Sequence, residues 1–174
     1  TGWSDRAGIH TATLPDGTVL RGDSGAVPAP FVITTPWSLT LDGRASPRID
    51  QTLDALVSWT DTLETKYFSG TGIYATTFQL PEGYEGERTR LELDLGDVGN
   101  VAEVRINGKV VGVIWMRGQT LNITPVTVEG RNEIFIRVTN TLINRVSGLK
   151  EFTPVPEELR ERLGRGVQDD NSPA

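Results

Sequence analysis

Apolar residues recur at every second position in short runs along much of the chain. Trp37, Leu39 and Leu41 share one face of an extended segment, and Tyr74, Thr76, Phe78 and Leu80 share one face of another. In RLELDL, Leu91, Leu93 and Leu95 turn inward while Glu92 and Asp94 turn out. Ala102, Val104 and Ile106 repeat the period of two, as do Ile134, Ile136 and Val138. Turn residues separate the runs, and no helical crossover spacing lies between them. At least seven short strands of this kind predict an all-β, antiparallel sandwich.

The turns set the expected pairings. In VRINGKVVGVIW a two-residue turn at Asn107-Gly108 pairs Ile106 with Lys109, Val104 with Val111 and Ala102 with Val113. Trp115 then shares a face with Val111 and Val113, at the rim of the core. AGIHTATLPDGTVLRGDSG predicts a hairpin about Asp16-Gly17, and GAVPAP (Gly25 to Pro30) reads as a proline-rich joint. FVITTPWSLTLDG reads as a long strand broken at Pro36. TLDALVSWTDTLETKYFSG is irregular, a long loop with a short helical turn. TPVPEELRERLG predicts one helix from Pro156 to Leu163, with proline and Glu157-Glu158 in its first turn and Gly164 at its end. The tail VQDDNSPA reads as disordered. The expected organisation is a hairpin segment over 1–27, a sandwich over 28–153, and a helix with a tail over 154–174.

Charge and composition narrow the functional classes. The net charge of −6 disfavours nucleic acid and anionic membrane as partners, since phosphates demand basic patches. With no cysteine, disulfides, thiolate metal sites and thiol nucleophiles are excluded. The single histidine, His10, reads as an exposed strand residue without partners for catalysis. No run approaches the roughly 20 apolar residues of a membrane span. The opening TGWSDRAG lacks a methionine and a signal pattern, which suggests an excised piece.

The run IYATTFQLPEG…RTRLELDLGDVGNVAEVRINGKVVGVIW…LNIT…VEGRNEIFIRVTN resembles the sugar-binding jelly-roll domain of glycoside hydrolase family 2. With SWTDTLETKYFSGTGIY upstream and NTLINRVSGLKE downstream, it is still more similar to the C-terminal β-sandwich of family 106 α-L-rhamnosidases. The resemblance covers Pro28 to Glu151. It implies a galactose-binding-like jelly roll that accompanies a catalytic barrel, secreted or periplasmic. The implied partners are that catalytic domain and a glycan, such as a rhamnose-containing polysaccharide. After Trp115 the family continues with a lysine and a proline pair, whereas this chain has Met116, Arg117 and Gly118, so contacts of that segment do not transfer.

Glycan recognition needs rings for a sugar's C–H face and planar polar groups for its hydroxyls. Trp59, Tyr67 and Trp115 are candidate rings. Asp61, Lys66, Arg117, Asn140, Asn144 and Arg145 are candidate polar groups, all from loops or strand ends. The plainer readings stand beside these: Trp59 and Trp115 also suit packing at the core rim, and Lys66, Asn144 and Arg145 suit a polar face toward a neighbouring domain. Asp61, Glu64, Asp94 and Asp97 show no spacing that sets two carboxylates roughly 5 to 10 Å apart across a bond, so no catalytic residue is assigned. No cofactor is expected. The resemblance raises a structural calcium at Asp94, Asp97 and Asn100 in DLGDVGN, although that run lacks the calcium-loop pattern.

Overall fold

The structure is a computed structural model that describes residues 4–44, 46–84 and 89–150. The helix expected over Pro156–Leu163 and the tail after it lie outside the described residues. Among the described residues ten strands form three antiparallel sheets. The largest contains β3 (Trp37–Gly43), β4 (Ser46–Leu53), β5 (Thr71–Leu80), β7 (Val101–Ile106), β8 (Lys109–Ile114) and β10 (Gly130–Thr139), in the order β4-β3-β5-β10-β7-β8. A short ladder of β6 (Glu92–Asp94) with β9 (Thr120–Asn122) forms the second layer. β1 (Ile9–Thr13) and β2 (Val19–Asp23) pair only with each other, through a loop at Leu14–Thr18 in which the Asp16 carboxylate accepts from the Thr18 amide.

The core is the contact between the two layers. Trp37, Leu39, Leu41, Phe78, Val104 and Ile134 are buried on one face of the large sheet, and Leu91, Leu93, Leu121 and Ile123 pack against that face. Each large apolar side chain taken fully out of water contributes about 1.5–3 kcal/mol, so period-two runs decide which face turns inward. Two segments depart from expectation. β4 is an additional strand at the sheet edge, where little apolar side chain is needed. The expected strand before Pro36 is irregular: Thr35 Oγ1 donates to the Thr77 carbonyl, and Thr76 Oγ1 donates to the Pro36 carbonyl, so side chains tie this segment to β5.

The β7–β8 hairpin forms with its turn at Asn107 (φ 50) and Gly108 (φ 76), the paired positive φ values that a two-residue turn requires. Its register differs from the expected one. Ile106 faces Lys109 and Arg105 faces Val110, but Val104 faces Gly112 and Ala102 faces Ile114, so Val111 is bulged out of the ladder. The extra residue reverses the facing beyond it. Ile114 is buried, Val113 turns out, and Trp115 lies 63% exposed rather than at the core rim.

Asn107 is more than a turn residue. Its Nδ2 donates to Asn132 Oδ1 (2.8 Å) and to the Val126 carbonyl (2.9 Å), while its Oδ1 accepts from the Glu133 amide. Asn132 is fully buried; its Oδ1 also accepts from the Val128 amide, and its Nδ2 donates to the carbonyls of Val128 and Gly130. The pair fastens the hairpin tip to the loop preceding β10.

Candidate functional site

The β6–β9 layer is only three residues long and leaves part of the large sheet's inner face uncovered. Over that part lies a cleft of about 680 Å³, within the range of small-molecule sites. Tyr74, Ala102, Ile136 and Val138 line its floor. They are neighbours across the ladder, since Ile136 faces Tyr74 and Val138 faces Ala102. One wall is the β4–β5 connection from Leu56 to Thr60, and the other is the β6–β7 connection with Leu95, Asp97, Val98 and Asn100. Arg117, Asn140 and Asn144 complete the lining.

Trp59 begins a single 3₁₀ turn, Trp59–Asp61, capped by Ser58 Oγ accepting from the Thr60 amide. Its indole Nε1–H donates to Tyr74 Oη at 2.6 Å, its ring meets Phe68 edge-on at 5.3 Å, and its carbonyl accepts from Thr65 Oγ1. The indole lies against Gly72 of β5, where a Cβ would run into the ring and into Leu41. A glycine inside a strand marks such a close approach. Burial pushes the Tyr74 hydroxyl above the usual tyrosine range, against the lowering effect of the bond from Trp59. The phenol therefore keeps its proton.

The polar rim is unevenly committed. Asn140 Oδ1 accepts from the Gly70 amide (2.8 Å) and its Nδ2 donates to the Phe68 carbonyl (2.9 Å), so this carboxamide clasps the 68–70 loop to the end of β10. The Asn144 carboxamide has no hydrogen-bond partner among the described residues. Arg117 Nε stands 3.8 Å from Asp97 at the mouth, and both side chains are 85% exposed. Such a pair contributes little to stability, and either partner is open to exchange with a ligand.

The cleft brings together four of the nine expected binding residues: Trp59, Arg117, Asn140 and Asn144. The other five do not line it. Asp61 is exposed in the 3₁₀ turn. Lys66 Nζ lies 5.5 Å from the Tyr67 ring centre, and Tyr67 covers Gly148 beyond helix α1 (Ile143–Ser147). The Arg145 amide donates to Ser69 Oγ, which anchors α1 to the 65–70 loop. Trp115 ends the β8 edge, its amide donating to Gln119 Oε1.

The sequence reading missed Tyr74, because an inward strand position serves a core and a cleft floor alike. The signal that could have found it was Gly72, two residues earlier on the same face. The acids of DLGDVGN separate: Asp94 Oδ1 accepts from the Gly96 amide within its own loop, whereas Asp97 faces Arg117. Among the described residues no three acidic or histidine side chains gather as a metal site would require.

No family model matches the chain. Over 155 residues, 88% of its length, it is 34% identical to a Formosa agariphila protein named "Putative beta-glucuronidase". A solved rhamnosidase from Novosphingobium sp. PP1Y superposes on 76% of the chain with TM-score 0.59 and 29% identity. The likeness is to one domain of glycoside hydrolases. The chain spans only 13% of the Formosa agariphila protein and 14% of the rhamnosidase. A β-glucuronidase from Ruminococcus gnavus covers 62% of the chain at TM-score 0.52 and 17% identity, a likeness of fold alone. The expected sandwich is thus shown, and the link to glycoside hydrolases holds. Because rhamnosidase and glucuronidase both match, family 106 is not singled out.

Proposed function

We propose that this chain is a non-catalytic carbohydrate-binding accessory module of a rhamnosidase-like glycoside hydrolase, secreted or periplasmic with its parent. The observation that carries the reading is the cleft at the end of the sandwich. There a fixed indole, an uncommitted carboxamide and an exchangeable ion pair surround an apolar floor. Sugars present apolar C–H faces and planar arrays of hydroxyls, which suit this mixture. The reading is supported by relatives named as a "Putative beta-glucuronidase" and a rhamnosidase, of which the chain spans only 13% and 14%, as an accessory domain would.

Affinity electrophoresis of the chain against a panel of plant and algal polysaccharides tests this. Retardation by a rhamnose-containing polysaccharide, lost in Asn144→Ala with Arg117→Ala, is expected. No retardation by any glycan would sink the reading.

A second reading is that the domain braces a catalytic barrel and has no ligand of its own. One observation favours it: Leu142, Ile143, Val146 and Leu149 are all exposed about α1, close to Tyr67. Exposed apolar patches mark contact surfaces. Under that reading, charged replacements at Leu142 and Ile143 would release the domain from its catalytic partner, and no sugar would affect it.

A further inference from the structure

The one Asn-Gly pair of the chain, Asn107-Gly108, sits at the tip of the β7–β8 hairpin. The turn uses it for its positive φ values, and that choice brings a chemical liability. Glycine has no Cβ to crowd its own amide nitrogen, and open space lies where a Cβ of residue 108 would stand. In a free chain that nitrogen attacks the preceding carboxamide. It loses its proton and bonds to Asn107 Cγ, the Cγ–Nδ2 bond breaks, and Nδ2 leaves with the proton as ammonia. Water then opens the five-membered imide at either carbonyl, giving aspartate or isoaspartate.

The folded chain opposes this reaction. Attack needs Cγ to swing toward the Gly108 nitrogen and needs Nδ2 free to leave. Instead Nδ2 donates to Asn132 Oδ1 and to the Val126 carbonyl, and Oδ1 accepts from the Glu133 amide. The Asn107 amide also donates to the Glu133 carbonyl, so main chain and side chain hold the residue together. Asn132 is fully buried and its carboxamide is fixed on Val128 and Gly130, so it cannot follow a turning Asn107.

We propose that Asn107 is a deamidation site guarded by Asn132, and that the domain ages by this route only when the hairpin tip opens. Opening gives up the three hydrogen bonds of the carboxamide, each of modest net worth. Together they slow the reaction by about ten- to a thousandfold relative to a free chain. The product cannot return to the clasp. An aspartate at 107 has no donor, so a carboxylate oxygen would face Asn132 Oδ1 and the Val126 carbonyl, acceptor against acceptor. Isoaspartate adds a methylene to the main chain and breaks the two-residue turn. The change is therefore one-way.

Peptide mass mapping and ammonia release, followed while the full chain is held at mildly alkaline pH, test the proposal. A synthetic peptide spanning Val104–Val111 gives the unguarded rate. The full chain is expected to deamidate at Asn107 about a hundredfold more slowly. Asn132→Ala should raise the rate of the full chain about tenfold. Leu39→Ala, which weakens the core outside the clasp, should leave it near the native value.

A full chain that deamidates as fast as the peptide overturns the proposal. So does an Asn132→Ala chain no faster than Leu39→Ala, because protection would then belong to the fold as a whole. Modified chains with an unchanged unfolding midpoint would show that the clasp survives the reaction, which also overturns it. If Asn132→Ala does not fold, the rate of the unaltered chain against the peptide decides alone.

Discussion

The indole nitrogen of Trp59 donates to the phenol oxygen of Tyr74 at 2.6 Å, joining the β4–β5 connection to the centre of β5. The strand ladder places Tyr74, and the bond in turn helps hold Trp59, because the loop that carries it has one 3₁₀ turn and no strand to fix it. Tyr74→Phe keeps the ring and strands the indole N–H. It should cost about 1–2 kcal/mol in urea unfolding. A double-mutant cycle with Trp59→Phe should return a coupling of about 0.5–1.5 kcal/mol; additive effects would show that the bond does not hold the loop.

The same phenol gives a pH dependence on the alkaline side. Its folded pKa lies above the unfolded value near 10.0, raised by burial against the effect of Trp59. Between those two values the unfolded chain has lost the proton and the native chain has kept it, so stability falls as pH rises. The contribution is fully present below pH 10. Tyr74→Phe should flatten this alkaline loss in unfolding midpoints measured from pH 9 upward.

Gly72→Ala sets a Cβ against the Trp59 ring and Leu41. Overpacking of this sort costs about 1–3 kcal/mol. Since Trp59 is the ring on the movable side, its fluorescence should shift red as the loop lifts, and the cleft wall should open. An unchanged spectrum with full stability would show that the loop does not rest on the strand.

Asn132→Ala should destabilise more than Asn107→Ala. Removing the buried Asn132 carboxamide leaves the Val128 amide and carbonyl, the Gly130 carbonyl and Asn107 Nδ2 short of partners. Each unsatisfied buried group costs about 1–3 kcal/mol, so a loss of about 3 kcal/mol or more is expected in chemical denaturation. Asn107→Gly keeps the turn geometry and should recover none of the lost contact to the Val126 carbonyl.

On the acid side, Asp50 is the group to test. Hydrogen bonds from Arg48 and then Thr40 hold its carboxyl below the usual carboxylate range of about 3.8. Its stabilising effect is present above that unfolded value and disappears as pH falls through the lower folded one. Because the pair is exposed, Asp50→Asn should move the acid-unfolding midpoint only slightly, and less still in high salt.

The inner face of the sheet was legible because a period of two has one physical meaning wherever one side of a strand is covered. Leu39, Leu41, Val104 and Ile134 were assigned inward for that reason, and they are buried. β4 was not legible: an edge strand with Arg48, Asp50 and Pro47 needs only Ile49 and Leu53 to lean on the core. The β8 bulge escaped as well, since GKVVGVIW reads equally smoothly with or without an unpaired Val111. That one residue decides the fate of Trp115. At the cleft, Trp59 and Asn144 stood out by residue type, whereas the floor was indistinguishable from core until the brevity of the second layer left it uncovered.

The bulge at Val111 also governs how the domain behaves among its own copies. β8 borders the large sheet, and an unbroken border strand bearing Val110, Val113 and an outward indole would be a template for edge-to-edge pairing with another copy. The unpaired residue breaks the regular spacing of amide and carbonyl groups along that border and twists it, while at the opposite border Pro47 lacks an amide to offer. Deleting Val111 would restore a straight ladder, and with it a route to filaments.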